Sequence, residues 1–366
     1  MLKVLTVFGT RPEAVKLGPV IRELTHFPNQ IDSRVCVTAQ HRDMLDQVLE
    51  VFGIQPDYDL DLMQANQTPT QVASAVLQHL ESVLQQEQPD WVLVQGDTTT
   101  VAAAALAAFY ARSKVGHVEA GLRTGDRWQP FPEEINRKIA GVIADRHFAP
   151  TERARANLLR EDVPADRILV TGNPGIDALH WITTQPEPPL VRDLLSEVRT
   201  ILVTAHRREN FGEPLRQICF ALRDLAEAYA GSVRIVYPVH RNPNVWGPAH
   251  ELLKGVPNIR LVEPLDYLSN LHLMKHAYLV VTDSGGIQEE ATGLGVPGLV
   301  LREVTERPEG VETGALRIVG TDRARIVASV SQLLEDPVAY GRMASAENPY
   351  GDGHAAERIV ASLLAD

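Results

Sequence analysis

Residues 277–290, AYLVVTDSGGIQEE, give the clearest indication of the fold. An apolar run is followed by a turn of small residues and then by the helix-forming residues 288–290, which is the pattern of a strand that feeds a helix. The unpaired N–H groups and positive dipole end of such a helix favour phosphate, and Gly285 and Gly286 let phosphate oxygens approach the backbone. The segment therefore predicts a phosphate site, with an ordinary helix start capped by Ser284 as the alternative.

Strands alternate with helical segments along the whole chain, and several strands are continuous runs of Val, Ile and Leu. Such runs are typical of strands buried on both faces, in parallel sheets with helices on both sides. The predicted strands are residues 3–8, 34–38, 91–95, 114–118, 146–149, 168–171, 200–204, 233–238, 259–262, 278–282 and 298–301. The sequence thus predicts an α/β protein with doubly wound sheets.

The strand-to-helix pattern starts over in the middle of the chain. KVLTVFGTRPE at residues 3–13 and TILVTAHRREN at residues 200–210 each run from an apolar strand through a basic residue into a helix start. A proline-dense stretch between them, TQPEPPL at residues 184–190, is typical of a surface connection. We therefore expect two Rossmann-like domains, residues 1–172 and 173–352, that face each other across a cleft lined by strand ends.

Size and composition exclude several classes of protein. At 366 residues, with 44% hydrophobic and 22% charged residues, the chain is long enough for two cores that fold by burial alone. The formal charge of -12 argues against a general nucleic-acid or anionic-membrane surface, so an anionic ligand needs a local basic cluster. The sequence has no signal peptide and no apolar run of membrane length, which predicts a cytoplasmic protein with Cys36 and Cys219 reduced.

Carboxylates follow two of the predicted strands. Asp97 comes just after residues 91–95 and Glu119 just after residues 114–118, so both are expected at the same edge of a sheet. A helix cap is the alternative for Asp97, whereas Glu119 has no comparable structural explanation, because a carboxylate that ends an apolar strand costs free energy unless it is paired or used. Glu133 and Glu134 follow in PEEINR, at a predicted helix start. For one of these two acids, complementarity to the helix dipole is the simpler explanation.

Basic side chains are predicted at the same strand ends. Such a cluster would neutralise a diphosphate, although a single arginine on a loop is usually solvated and a purely structural role is the alternative for His206. One acid is also expected to bind the ligand, because Glu290 lies about one helical turn into the DSGG helix, where it is placed to accept ribose hydroxyls. The basic set is Arg11, Lys16, His206, Arg207, Arg208 and Arg307.

Several cofactor and metal motifs are missing from the sequence. No GxGxxG follows either leading strand, so a nicotinamide cofactor is not expected, and neither GxxxxGK[ST] nor HExxH occurs. Asp59 and Asp61 form a DxD, which binds a metal nucleotide in some transferases, but here it lies in PDYDLDLM between predicted elements. A solvated loop is the favoured interpretation, and no metal site is predicted.

Nine motifs occur in order between residues 4 and 353: FGTRPE, TAQHRDMLDQVL, GDTTT, GHVEAGLRTGD, PEEINR, HRREN, PVHRNP, DSGGIQEE and TERPEG. With these motifs the chain resembles the non-hydrolysing UDP-N-acetylglucosamine 2-epimerases over nearly its whole length. A shared fold alone does not explain so many ordered motifs.

The resemblance implies two Rossmann-like domains in the manner of a GT-B glycosyltransferase, assembled as a homodimer. It implies interconversion of UDP-GlcNAc and UDP-ManNAc, without metal or added redox cofactor, for cell-envelope polysaccharide synthesis. It implies catalytic roles for Asp97, Glu119, Glu133 and His206. It implies substrate binding by Arg11, Lys16, Ser284, Gly285, Gly286, Glu290 and Arg307.

The residues are consistent with an elimination mechanism. The C2 proton of the sugar is not adjacent to a ketone, and the sequence offers no obvious NAD site for oxidation at C3. A carboxylate is expected to remove that proton as the anomeric C–O bond breaks, which gives UDP and a 2-acetamidoglucal; UDP then adds back while C2 is protonated on the other face. Retaining both fragments calls for a closing cleft, with a hinge near residues 171–174 and a helix at about 353–366 that crosses back to the first domain.

Other functions remain open on the same fold. A hydrolysing UDP-GlcNAc 2-epimerase or a GT-B glycosyltransferase would bind the same nucleotide sugar but release or transfer the sugar. A non-catalytic UDP-sugar sensor is a third alternative, against which the intact set of acids argues.

The chain departs from the family pattern in three places. Leu265 and Asn270 replace a frequent glutamine and phenylalanine around the nucleotide base, which weakens the expectation of uracil selectivity. Pro174 replaces a threonine near the expected hinge. A second, allosteric site of some members is altered at Asp43 and Asn66, which weakens the expectation of activation by substrate. Its remaining candidate residues are Gln40, His41, Gln67, Arg207 and His240.

Overall fold

The structure is a computed structural model that describes residues 1–38, 42–62, 67–195, 197–305 and 307–365, without the side chains of residues 42–44. The chain divides into two units, each with its own parallel sheet. The first unit is Met1–Trp181 with Tyr350–Asp366, and the second is Ile182–Pro349.

The described part of the first unit holds a seven-stranded parallel sheet. Its central strands are mostly apolar and are buried except at their first residues, since helices cover both faces. The strands are β1 (Leu2–Phe8), β2 (Ile31–Val37), β3 (Tyr58–Asp59), β4 (Trp91–Gln95), β5 (Lys114–Val118), β6 (Arg146–Ala149) and β7 (Ile168–Val170). Their order across the sheet is β3-β2-β1-β4-β5-β6-β7.

In the described part of the second unit, a six-stranded parallel sheet is built in the same way. The strands are β8 (Arg199–Thr204), β9 (Val233–Pro238), β10 (Ile259–Val262), β11 (Leu279–Thr282), β12 (Gly298–Val300) and β13 (Leu316–Ile318). Their order is β10-β9-β8-β11-β12-β13. The predicted α/β class, with two Rossmann-like doubly wound sheets, is confirmed.

Helices connect successive strands in both units, as parallel pairing requires. They are α1 (Arg11–Thr25), α2 (Arg42–Phe52), α3 (Pro69–Glu87), α4 (Thr99–Tyr110), α5 (Glu133–Ile143), α6 (Glu152–Arg160), α7 (Pro174–Thr184), α8 (Pro189–Leu194), α9 (Glu213–Ala228), α10 (Pro243–Leu253), α11 (Tyr267–Lys275), α12 (Gly285–Gly293), α13 (Pro308–Glu312), α14 (Arg323–Glu335), α15 (Pro337–Ala344) and α16 (Ala355–Ala365). Within the described residues, no helix is long and apolar enough to span a membrane.

The last helix belongs to the first unit, although it follows the second in sequence. It packs on α1, and the backbone N–H of Ala356 donates to Asp177 Oδ1 at 2.8 Å. The division of the chain falls inside α7, after Trp181. The sequence predicts the boundary nine residues earlier, after residue 172, and the hinge near residues 171–174 stays a prediction.

All eleven predicted strands are present, with ends shifted by three residues or fewer. The two strands that the sequence did not predict are β3 and β13, both at sheet edges and only two and three residues long. Such short edge strands lack a continuous apolar run, so no periodic pattern marks them. One interpretation was wrong as a result: Asp59 of the DxD is not in a loop, since it pairs with Val37 in β3.

Both sheets have a topological switch point, where the strand order reverses. It lies between β1 and β4 in the first unit and between β8 and β11 in the second. Loops at the carboxyl ends of the strands leave a crevice at such a point, and ligands of open α/β sheets bind there. The motifs FGTRPE, GDTTT, HRREN and DSGG follow these four strands, and Glu119 follows β5, the neighbour of β4.

Candidate active site

The turns after β1 and β4 bring two motifs of the first unit together. Thr10 caps α1, and its turn is tied to the turn after β4 because the hydroxyl of Thr98 donates to Glu13 Oε1 at 3.0 Å. Thr98 also accepts from the backbone N–H of Val101 at 3.2 Å and is therefore the N-cap of α4. This excludes the alternative that Asp97 caps that helix.

Glu119 has a buried carboxylate at the end of β5, with 8% of the residue exposed. Its Oε1 contacts the ammonium group of Lys16 and accepts from Asn173 Nδ2 at 3.5 Å. Its Oε2 accepts from Gln95 Nε2 at 2.5 Å. One cation and two amides therefore compensate the desolvation of this carboxylate and fix its position.

The backbone at Glu119 is strained, with φ of 62°, in the left-handed region that glycine favours. A residue other than glycine in such a conformation costs about 1 kcal/mol or more, and it persists where surrounding structure enforces it, as at functional sites. Buried His117 helps to fix this edge, because its Nε2 donates to the carbonyl of Gly96 at 2.7 Å. Burial lowers the pKa of His117 to about 4, so the imidazole is neutral at pH 7.

Asp97 belongs to a chain of ion pairs that leads to α5. Its Oδ2 contacts the guanidinium of Arg137, and Arg137 Nη1 also donates to Glu134 Oε2 at 3.1 Å. Glu134 is buried and accepts from the backbone N–H groups of Thr124 and Gly125, each at 3.2 Å. Glu134 therefore has a structural role, which the sequence did not predict.

Glu133, the other acid of PEEINR, is the first residue of α5 and is half-buried. Its Oε2 is shielded from solvent and accepts no hydrogen bond from the residues that the structure describes. The two neighbouring acids thus differ, since one is fully hydrogen-bonded and the other retains a free oxygen. The dipole explanation offered for one of them does not account for that oxygen.

Glu13 is a buried carboxylate beside these residues that sequence reasoning missed. Burial raises the pKa of its carboxyl to about 7, although hydrogen bonds from Gly9, Thr10 and Thr98 act in the opposite direction. The signal was present in TRPE, because Thr10 and Glu13 have the spacing of a capping box. Arg11 lies at the first position of the same helix and is half-buried.

The DSGG segment of the second unit is the helix start that the sequence predicts. Ser284 is the N-cap residue of α12, but its side chain makes no capping hydrogen bond. The first amides of the helix thus lack the partner that a capping serine supplies. A Cβ at Gly286 would meet no atom within 4 Å, so the approach to these amides is open. The geometry favours an anion site over the alternative of a capped helix start.

Two further candidates, Glu290 and Arg307, lie beside this helix start. Glu290 is half-buried on α12, and the guanidinium of Arg307 contacts the carboxylate of Glu289. Thr305 joins the TERPEG turn to α12, since its hydroxyl donates to Gln288 Oε1 at 2.6 Å and its Oγ1 accepts from the N–H of Arg307 at 3.1 Å. The structure therefore places Arg307 next to the DSGG helix.

His206 follows β8, on the other side of the switch point. Its backbone N–H and that of Arg207 donate to Asp283 Oδ2, each at 2.9 Å. Burial lowers the pKa of the His206 imidazole below its usual range, and the charge of Asp283 opposes that shift. The ring of His240 stacks on that of His206, with 5.5 Å between centroids.

The candidate allosteric residues are only partly described. Gln40 and His41 lie outside the described residues, and so does Asn66. Gln67 lies in the first unit, where its Nε2 donates to the carbonyl of Leu62 at 2.9 Å. Arg207 and His240 lie in the second unit beside His206 and are therefore close to the phosphate-site candidates. The allosteric assignment stays a prediction.

Known proteins resemble this chain over its full length. A sequence profile described as UDP-N-acetylglucosamine 2-epimerase matches residues 23–364. The "UDP-N-acetylglucosamine 2-epimerase" of Yersinia pestis is 53% identical, over 99% of this chain and 98% of its own. The crystal structure of UDP-GlcNAc 2-epimerase from Neisseria meningitidis bound to UDP-GlcNAc has 48% identity and a TM-score of 0.90, over 100% of both chains. That of the Methanocaldococcus jannaschii enzyme in complex with UDP-GlcNAc and UDP has 37% identity and a TM-score of 0.81, again over 100% of both chains.

Proposed function

The chain belongs to the UDP-N-acetylglucosamine 2-epimerase family, and from this premise we propose that it converts UDP-GlcNAc reversibly into UDP-ManNAc by eliminating UDP and adding it back. Members of this family are isomerases that act at C2 of the sugar, as the family name states. The release of UDP as an intermediate step, the identity of the product and the role of each residue are the parts that we propose.

The observation that supports the proposal most is the pair of carboxylates, Asp97 and Glu119, at the ends of neighbouring strands. Each contacts a basic side chain, Arg137 and Lys16 respectively. Inversion at C2 requires one group that removes a proton from one face and another that returns a proton to the opposite face. Glu133, with its free oxygen, is the third candidate for these transfers.

The reaction then follows from electron balance. A carboxylate takes the C2 proton, the C–H electron pair forms a C1=C2 double bond, and the anomeric C–O bond breaks with its electrons on the diphosphate. The products at this stage are UDP and 2-acetamidoglucal. When UDP attacks C1 again, C2 takes a proton on its other face, which gives the epimer.

We assign the UDP to the second unit. The open amides of α12 and the backbone at Gly285 and Gly286 bind the diphosphate, whose charge grows when the C–O bond breaks. Arg307 and His206 add positive charge or hydrogen bonds beside these amides, and Glu290 accepts the ribose hydroxyls. In the first unit, Lys16 contacts Glu119, and we propose that it and Arg11 bind substrate there.

Incubation with UDP-GlcNAc in deuterated water tests this mechanism. We expect deuterium at C2 of both UDP-sugars recovered from the mixture, because the abstracted proton exchanges with solvent before C2 is protonated again. Mass spectrometry and proton NMR measure the label. Free ManNAc as the sole product would show a hydrolysing enzyme, and recovery of unlabelled UDP-ManNAc would rule out proton abstraction at C2.

We also propose that the chain forms a homodimer through an apolar face of the first unit. Helices α4 and α5 pack on each other and expose Phe109, Tyr110, Ile139 and Val142, the last with 88% of its surface accessible. Exposed apolar side chains of this kind on the surface of a folded protein are typical of a protein interface.

The oligomeric state of two matched variants tests the interface. Val142→Glu is expected to convert a dimer into a monomer, because it places a charge inside a buried apolar contact. Val338→Glu, on an exposed site of α15, is expected to leave the dimer intact. Analytical ultracentrifugation measures both; a monomeric wild type, or a dimeric Val142→Glu variant, would refute this interface.

A further inference from the structure

Asp283 is a buried carboxylate that none of the roles assigned so far explains. It follows β11 and has no exposed surface. Its Oδ2 accepts three hydrogen bonds at 2.9 Å, from the N–H groups of His206 and Arg207 and from Asn210 Nδ2. These bonds hold the turn that follows β8. They use only one of its two oxygens.

The other oxygen, Oδ1, accepts no hydrogen bond from the residues that the structure describes. A buried carboxylate oxygen left without a donor costs free energy of the order of 1–3 kcal/mol, so its persistence needs an explanation. The side chain that faces it is His206, whose Nδ1 lies 3.9 Å from Oδ1. The amide of Asn210 is occupied, because its Nδ2 donates to Oδ2 and to the carbonyl of Leu301.

We propose that Asp283 is the positioning residue of His206: Oδ1 takes the Nδ1–H of the imidazole when substrate binds, and Nε2 is thereby presented to the diphosphate. This rests on the function proposed above, which assigns UDP to this unit. A carboxylate that accepts from one ring nitrogen fixes the tautomer and supports a positive charge on the ring. His206 then binds a proton together with the diphosphate, and its Nε2–H donates to the oxygen that carries the leaving electron pair.

The charged groups around His206 determine whether its imidazole gains a proton when the diphosphate binds. In the free protein, burial favours the neutral ring. Among the residues that the structure describes, the charged groups that act on it are Asp283, His240 and Arg207, and Asp283 is the carboxylate of this set. His240 Nδ1 accepts from the N–H of Asn242 at 3.1 Å, so its Nδ1 carries no proton. The diphosphate adds negative charge on one side of the imidazole and Asp283 holds negative charge on the other, which favours the imidazolium.

Proton uptake on UDP binding tests the proposal. Calorimetric titration of the full chain with UDP at pH 7.5, in buffers of different ionisation enthalpy, gives the number of protons taken up. The His206→Gln variant measures the contribution of all other groups, including the terminal phosphate of UDP. We expect the wild type to take up about half a proton or more beyond that variant. Equal uptake in the two proteins overturns the proposal, whereas absence of UDP binding overturns the proposed function itself.

A double-mutant cycle separates positioning from a structural role. Asp283→Asn keeps an acceptor for the turn but offers an amide N–H₂ to His206 Nδ1, which reverses the tautomer and is expected to lower kcat by roughly 10²-fold or more with little change in KM. In the His206→Gln background the same substitution is expected to change kcat less than about three-fold. A full second loss there would mean that Asp283 only holds the turn, and the proposal would be wrong.

The wild-type tautomer gives a test that needs no variant. In protein labelled with ¹⁵N-histidine, the Nδ1 and Nε2 shifts of His206 report which nitrogen carries the proton. The proposal requires protonation of both nitrogens in the UDP complex. A ring that stays neutral in the complex, protonated at either nitrogen, would overturn it.

Discussion

Glu119→Gln is expected to reduce kcat by roughly 10²-fold or more, the loss that removal of a proton-transfer group produces. Glutamine has nearly the same shape, but it cannot take a proton from carbon. It also removes the charge that contacts the ammonium of Lys16 and places an amide N–H₂ near the amides of Gln95 and Asn173. Steady-state kinetics and deuterium incorporation at C2 measure the effect, with a small change in KM expected.

A matched carboxylate provides the control for this substitution. Glu81 is exposed on α3, and its only hydrogen bond given by the described residues is from Gln85 Nε2 at 3.3 Å. Glu81→Gln removes the same charge from the same unit and is expected to leave kcat unchanged. Because the Glu119 site contributes to packing, thermal denaturation of both variants must show a folded protein. A folded Glu119→Gln variant with wild-type turnover would mean that this carboxylate is purely structural.

Gly286→Asp is expected to weaken UDP binding by roughly 10²-fold or more, because a like charge at the first turn of α12 repels the diphosphate by several kcal/mol. The same change is expected to leave the fold intact or stabilise it. No atom lies within 4 Å of a Cβ at this position, a helical glycine is unfavourable by about 1 kcal/mol, and an acid in the first turn favours the helix dipole. Isothermal titration with UDP and thermal denaturation measure the two effects.

Weaker UDP binding together with unchanged or higher stability would separate a local effect at the phosphate site from unfolding. A variant that binds UDP poorly because it unfolds would lose both binding and stability. Gly247→Ala on α10 is the control, since a Cβ there also meets no atom within 4 Å and the site lies in a helix without a predicted ligand. It is expected to bind UDP like the wild type. Undiminished UDP binding by Gly286→Asp would place the diphosphate elsewhere.

The sequence predicts most strands and helix starts because these elements depend on residues that are close together along the chain. Continuous apolar runs marked eleven strands, and small residues after β11 marked the helix start. The pattern failed at β3 and β13, because Tyr58–Asp59 has only two residues and Arg317 interrupts Leu316–Ile318, so neither strand is a continuous apolar run. The sequence also predicts a terminal helix that returns to the first unit, and α16 packs on α1; contacts put the division of the units after Trp181, nine residues beyond the predicted boundary.

Individual roles at the site depended more on tertiary contacts. Only the family resemblance distinguished Glu133 from Glu134 in the sequence, and the structure gives the physical difference, because Arg137 and two backbone amides occupy Glu134. It likewise excludes the alternative of a helix cap for Asp97, which forms an ion pair with α5 instead. Asp283 begins the DSGG motif, in which the sequence drew attention to the glycines. Its burial, and the lack of a donor to Oδ1 among the described residues, are visible only in the structure.

The sequence by itself determined the α/β class, the parallel sheets, the family and the set of polar residues at the strand ends. Those features follow from the order of apolar runs, turns and charges along the chain, which folding does not alter. Only the tertiary structure decided which carboxylates have a basic partner and that the start of α12 lacks a side-chain cap. It also decided that Asp283 Oδ1 has no donor among the described residues. Burial and hydrogen bonding join residues that are tens to hundreds of positions apart, such as Asp97 to Arg137 and Asp283 to His206, and no local pattern encodes those distances.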